Sequence, residues 1–382
     1  MSNSTEKSRI FLSPPHMSGR ELSYVEEAFA SNYVAPAGPM IERFEHDFAA
    51  YTGIEHAVAL ASGTAAIHLA LLNLDIQPGD EFWASALTFI GSVSAAIHER
   101  MVPAFFEPDA KSWNLDPELL GEELNRAAKR GRLPKAVIPT ELYGQACDLD
   151  AINGYCEQYG VPVICDSAEA VGTRYKGRHA GKGAFAAAFS FNGNKIMTTS
   201  GGGLLASDDK RVIDRARYLS TQARQPRIHY EHTEVGFNYR MSNICAAIGV
   251  GQLQVIEERV ARRRAIFALY VERLGNLPGI TFMPEADYCR TTRWLTVIRV
   301  DSIRFGSNRD EIQAALEAHD VEARPVWKPM HMQPVFAGAR HVGKALSEEI
   351  FADGLCLPSG SSMTDDDVER VAEIITQRCA AG

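Results

Sequence analysis

The sequence predicts an α/β protein: a large domain built on a mostly parallel central sheet, followed by a smaller C-terminal α/β domain. Two patterns carry that expectation. From about residue 57, short apolar runs alternate with small-residue turns and helical stretches, the rhythm of buried parallel strands with crossover helices. After residue 206 the rhythm gives way to long charged helices, and a strand and two more helices close the chain. The length of 382 residues allows two or three domains, and 46% hydrophobic with 23% charged residues is ordinary for a soluble globular chain.

Taken in order, residues 20–31 and 40–51 carry apolar positions at helical spacing and predict two opening helices. AVALAS (57–62) reads as a strand, GTAAIHLALLNL as a helix, EFWAS (81–85) as a strand, FIGSVSAAIHER as a helix and PAFFEP as a strand. The runs at 136–144, 161–166 and 186–191 read as further strands. A long helix is expected over 243–274, its Arg262-Arg263-Arg264 run forming a solvated face rather than a binding patch. WLTVIRV (294–300) reads as a strand, and RDEIQAALEAHD and DDDVERVAEIITQRC as helices. These assignments divide the chain into a large domain over 1–260 and a small domain over 261–382, with the long helix able to bridge them.

A formal net charge of −9 argues against broad contact with nucleic acid or anionic membrane, since both reward a basic face. The seven cysteines are scattered without a C-x-x-C pair, which indicates thiols in a reducing cytoplasm rather than a disulfide or zinc framework. No signal core or transmembrane-length run is visible, so a cytoplasmic protein is expected, and the Asn3-Ser4-Thr5 sequon reads as chance. The eleven histidines show no ligand spacing, and no H-E-x-x-H or Walker loop occurs, so no metal is expected. Gly201-Gly202-Gly203-Leu204-Leu205-Ala206 imitates a dinucleotide fingerprint but leads into the extended-looking GLLAS instead of a helix.

The chemistry centres on Lys195 in SFNGNKIMTTSGGG, just beyond an apolar strand in an otherwise uncharged loop. A lysine losing solvation there becomes a nucleophile able to form a Schiff base; the alternative is a surface lysine in a turn. Asp166 ends the strand VPVICD, 29 residues earlier, where a parallel sheet opens its ligand crevice. A carboxylate there suits the pyridinium nitrogen of pyridoxal 5'-phosphate, and otherwise serves as a helix cap. Ser62-Gly63-Thr64 opens a helix after a strand, a phosphate cradle by its backbone N–H groups and dipole, or an ordinary cap. Ser190 could add a hydroxyl to the same phosphate, and Phe89 could stack on the pyridine or belong to the core.

In combination, strand-SGT-helix, D-x-A-E-A-x-G ending a strand, S-F-x-x-x-K-x-x-T-x-G-G-G, and GFNYRMSNICAAIGVGQL (236–253) resemble the DegT/DnrJ/StrS family of nucleotide-sugar aminotransferases, from about residue 10 to the C-terminus. The resemblance implies the fold type I architecture of pyridoxal phosphate-dependent transferases (aspartate aminotransferase-like) and a homodimer with shared active sites. It implies that Lys195 carries the cofactor, with pyridoxamine 5'-phosphate during turnover, and that Asp166 pairs with its pyridinium. Ser62, Gly63, Thr64 and Ser190 match phosphate contacts, with Asn238 supplied by the neighbouring subunit. Glu169 stands where many relatives have Gln or His facing the phenolic oxygen; a carboxylate there repels a phenolate unless protonated or turned away.

Within the family, FLSPPHM (11–17), SNYVAP (31–36), STQAR (220–224), HYEH (229–232) and RPVWKPMH (324–331) resemble the 4-aminotransferases of the bacillosamine pathway. This implies a UDP-linked 4-keto-6-deoxy-N-acetylhexosamine as acceptor and glutamate as donor. Arg224, Arg240 and Lys328 are candidates for the donor carboxylate or the pyrophosphate, their alternative being structural pairing. His229, Tyr230, Trp327 and His331 are further candidate substrate contacts. The competing readings are a GDP-4-keto-6-deoxymannose aminotransferase, a keto-sugar dehydratase (disfavoured because that branch has His at the Lys195 position), and a non-catalytic protein of the same fold.

Overall fold

The computed structural model describes residues 8–379, so the Asn3-Ser4-Thr5 sequon lies outside the described residues. The predicted alternation is present. Pairing through strands and single bridges joins eight segments in the order 56–60, 203–207, 186–190, 164–166, 136–138, 81–85, 102–106 and 340–342. Only Gly203–Ser207 runs antiparallel to its neighbours; the other pairings in this order are parallel. The GLLAS segment is thus an inserted strand, not the turn of a dinucleotide site. Parallel strands place their carboxyl ends together, so Ser85, Asp166 and Ser190 finish at one edge of the sheet.

The apolar faces of Pro39–Thr52 and Asn243–Leu253 cover one side of this sheet, with Phe44 and Phe48 packed edge-on against Phe189 and Phe191. Gly63–Leu71 packs on the other side with Val58, Leu205 and Ala188. A second sheet, in the order Ile280–Phe282, Thr296–Val300, Gly354–Leu357, Arg324–Pro325, carries Arg309–Glu317 and Asp365–Thr376 over a separate apolar cluster. Ile10 joins that cluster, bridging to Val321.

Three expectations change. The helix expected over 243–274 is two helices, Asn243–Leu253 and Ile256–Leu274. Val255 leaves helical geometry between them at φ −114°, which lets an apolar buried helix turn into an amphipathic one. Ile256–Leu274 gives Ile256 and Val260 to the large core and Ile266, Tyr270 and Leu274 to the C-terminal cluster. The arginine run is not one solvated face either. Arg263 is 1% exposed and donates to the Ser359 carbonyl at 3.0 Å, Ser13 Oγ at 2.9 Å and the Trp294 carbonyl; burial lowers its pKa to about 9. It ties the N-terminal segment to the second sheet. The run at 136–144 is a strand only at Ala136–Ile138, then a 3-10 turn over Leu142–Gly144 in which Tyr143 has φ 51°.

Candidate active site

A cavity of about 1190 Å³ opens at the carboxyl edge of the large sheet and is walled by residues of the second one. Ser62, Gly63, Thr64, Phe89, Asp166, Glu169, Ser190, Lys195, Trp327 and Lys328 all line it. The fold brings these together from segments up to 266 residues apart, counted from Ser62 to Lys328.

Asp166 sits at the strand end, 6% exposed. Its Oδ1 accepts from the Ala168 N–H at 3.1 Å, and its Oδ2 accepts from the Ser92 hydroxyl. Ser92 continues a hydroxyl chain, 2.6 Å to Thr88 Oγ1 and from there 2.8 Å to Thr140 Oγ1. Burial raises the Asp166 pKa, while the Ser92 and Ala168 hydrogen bonds and the Lys195 charge pull it back. A cation placed on the open side of this carboxylate would therefore find a poorly solvated, already oriented anion.

Lys195 is held by its loop. The Asn194 carbonyl accepts from Ser13 Oγ at 2.7 Å and from Trp294 Nε1 at 2.9 Å, fixing the peptide that precedes the lysine. The ammonium lies 4.4 Å above the Trp294 ring and donates to Glu169 Oε1 at 3.0 Å. The loop is uncharged as a sequence, yet the amine meets a carboxylate delivered from another segment. Glu169 Oε2 accepts from the Tyr143 N–H at 2.8 Å, which explains the left-handed backbone at Tyr143. Burial drives the Glu169 pKa up, and Lys195 opposes it. Glu169 is thus turned toward Lys195 and a backbone amide.

Ser62 caps the helix Gly63–Leu71, accepting from the Ala65 N–H at 3.0 Å. A Cβ on Gly63 would lie 3.1 Å from Ser190 Cβ and 3.2 Å from the Phe189 carbonyl oxygen. The helix start and the end of Ala186–Ser190 are therefore close enough to leave backbone N–H groups, the Thr64 side chain and the Ser190 hydroxyl around one small concavity. Helix N-termini of this kind take phosphate. Phe89, 56% exposed, is not a core residue; its ring stands 5.5 Å from that of Trp327 and faces the cavity. Phosphate cradle, aromatic wall, buried carboxylate and lysine are the donor set that pyridoxal 5'-phosphate requires, so the residues present fit that group.

Other candidates lie elsewhere in the chain. Arg240 donates to Glu45 Oε1 at 2.7 Å and to the Ala59 carbonyl at 2.9 Å, a structural pairing away from the cavity lining. Arg224 stacks over the Tyr230 ring at 4.3 Å, and His229 pairs with Glu231 at 3.1 Å, in a projecting segment where Tyr230 is 77% exposed. Asn238, exposed and bridged to Thr221, also lies outside the cavity of its own chain. His331 meets Glu348 and His341 rather than the cavity. Residues that sequence reasoning missed are Ser92, Tyr143 and Trp294. Each contacts its catalytic-edge partner across 26 to 100 residues, a relation that no local pattern encodes.

Among the described residues, Cys147, Cys156, Cys165, Cys245, Cys289 and Cys356 form no disulfide, and no helix is long and apolar enough to cross a membrane. The profile of the DegT/DnrJ/EryC1/StrS aminotransferase family matches residues 15–376. EpsN of Bacillus subtilis (strain 168), a provisionally named pyridoxal phosphate-dependent aminotransferase, is 47% identical over 371 residues, covering 96% of this chain and 95% of its own. The GDP-perosamine synthase of Caulobacter vibrioides is 35% identical over 370 residues, with 97% and 98% covered. The solved structure of DesI in the presence of its TDP-sugar product superimposes with a TM-score of 0.88 at 27% identity, with 97% of this chain and 93% of that one covered.

Proposed function

The chain belongs to the DegT/DnrJ/EryC1/StrS aminotransferase family, whose aminotransferases depend on pyridoxal phosphate, and from that premise we propose that it transfers the amino group of glutamate to a UDP-linked 4-keto-6-deoxy-N-acetylhexosamine. The product is a UDP-4-amino-4,6-dideoxy sugar for bacterial glycan assembly. The observation that carries the reading is the convergence of Lys195, Glu169 and Asp166 at the floor of a cavity large enough for cofactor and nucleotide sugar together.

When bound, the cofactor supplies an electron sink that stabilises charge on the carbon losing or gaining a proton. The remaining work falls to the chain. Lys195 would hold the cofactor covalently, and its amine would carry a proton at the donor α-carbon. Glu169, which accepts from that ammonium, would hold it in reach, and Asp166 would keep the pyridine nitrogen protonated. Ser62, Gly63, Thr64 and Ser190 hold the phosphate. Phe89 and Trp327 line the cavity and would exclude water, and Lys328 would offer a cation to the pyrophosphate.

A homodimer with shared sites is part of this proposal: Asn238, Arg224, His229, Tyr230 and Arg240 lie outside their own chain's cavity, and the first four are exposed, which supports assigning them to a neighbour's site. The division into 1–260 and 261–382 is part of the proposal too, supported by the helix Ile256–Leu274 entering two apolar clusters, with the segment 340–342 returning to the edge of the large sheet. A GDP-4-keto-6-deoxymannose acceptor is the second reading, favoured by the GDP-perosamine synthase relative. Incubating the enzyme with glutamate and each keto sugar side by side, with NMR of the products, separates them. Amination of the GDP sugar in preference to the UDP sugar would overturn the first reading.

A further inference from the structure

Outside the cavity, three side chains distant in sequence meet at the rim of the large sheet. Glu107 follows the strand Val102–Phe106, His341 lies within Arg340–Val342, and His331 sits on the 3-10 turn Met330–Met332. One ring nitrogen from each histidine and one Glu107 oxygen lie within 4.8 Å of one another. The two imidazoles face each other with centroids 3.7 Å apart and planes 13° from parallel. We propose that this cluster is a structural site for one zinc-class divalent transition-metal ion, bound by His331 Nδ1, one nitrogen of His341 and a Glu107 oxygen.

The donor set is that of such ions: two imidazoles and a carboxylate, with a fourth position left for water. His331 supplies the independent sign. Its side chain is 9% exposed, and among the described residues its buried Nδ1 has no hydrogen-bond partner, an unspent lone pair in a place where polar atoms are normally satisfied. The other nitrogen, Nε2, lies 3.1 Å from Glu348 Oε1, so this carboxylate orients the ring as outer carboxylates orient metal-binding histidines. Glu107 is held in the same way, its two oxygens accepting from the Ser347 N–H at 2.7 Å and the Ser347 hydroxyl at 2.5 Å. The contact between His341 Nε2 and Glu107 Oε1, at 2.7 Å, is one whose proton an ion replaces. Bonds of roughly 2.0–2.2 Å require the stacked rings to splay so that their lone pairs converge, a rotation of each ring about its own side-chain bonds. The bound ion then pins the turn next to Trp327 and Lys328, on the cavity wall, to the edge strand of the large sheet.

The test uses untagged holoenzyme stripped with a chelator and freed of excess cofactor, then dialysed to equilibrium against Co²⁺ and examined by visible spectroscopy. One Co²⁺ per chain is expected, with a ligand-field band that Zn²⁺ bleaches and a rise in the thermal midpoint. His331→Gln and His341→Gln should each weaken Co²⁺ binding at least about 10-fold, whereas His46→Gln, on a remote exposed helix position (side chain 83% exposed), should leave it unchanged. If His331→Gln fails to fold, His341→Gln decides. Binding that is absent at stoichiometric Co²⁺, or that survives in His341→Gln, overturns the site; the second outcome also identifies chelation by the cofactor.

Discussion

Replacing Asp166 with Asn isolates charge from shape at the centre of the site. The amide keeps Oδ1 as an acceptor for the Ala168 N–H (3.1 Å), and its NH₂ takes the place of Oδ2. Ser92 then reverses its hydroxyl, which the neighbouring Thr88 and Thr140 hydroxyls can accommodate by rotating in turn. The fold should therefore change by no more than about 1 kcal/mol. What disappears is the full negative charge proposed to face the pyridinium. At a charge-assisted contact of ~2.8 Å and an effective dielectric of about 20, Coulomb's law gives roughly 6 kcal/mol. Hydrogen bonding to the neutral amide returns part of that, so kcat/KM should fall by about 10³- to 10⁴-fold. The assay is amino transfer from glutamate, with the thermal midpoint and cofactor content measured in parallel. Retention of more than about a tenth of wild-type turnover in folded, cofactor-loaded Asp166→Asn would refute the role given to this carboxylate.

Near Asp166, burial raises the Glu141 pKa to about 8, and among the described residues its buried Oε2 has no hydrogen-bond partner. A carboxyl whose folded pKa is raised binds its proton more tightly when folded. Its contribution is therefore fully present below about pH 4.3 and is lost as pH rises through about 8. Glu141→Gln should flatten that decline, on the order of a few kcal/mol, in urea unfolding followed from pH 5 to 9; parallel curves for the two proteins would sink the argument. Subunit sharing is tested by mixing inactive Lys195→Ala with an inactive Asn238 variant. In the mixed dimer one site recovers both residues, so activity should return to roughly a quarter to a half of the wild-type level per dimer if Asn238 serves the neighbour's site; demonstrated heterodimers without activity would mean it does not.

Whatever one contiguous segment can encode was legible in the residues alone. The alternation of apolar runs and helical stretches specified the parallel sheet, because strand burial on both faces leaves continuous apolar runs. The motif order specified Lys195, Asp166, the Ser62-Gly63-Thr64 helix start and Ser190, since strand ends and helix starts are local features that a parallel sheet necessarily gathers at one edge. Everything that depends on contacts between distant segments came only with the packed chain. It put Glu169 against Lys195 across 26 residues, so the uncharged loop around the lysine says nothing of its true partner. It aligned Ser92 on Asp166 across 74 residues, buried Arg263 in the middle of a run that reads as solvated, and spent Arg240 on Glu45. It also brought His331 and His341 beside Glu107. No ligand spacing announces that cluster, because its members come from a strand end, an edge strand and a turn more than 220 residues beyond the first, and only chain packing sets the distances on which their chemistry depends.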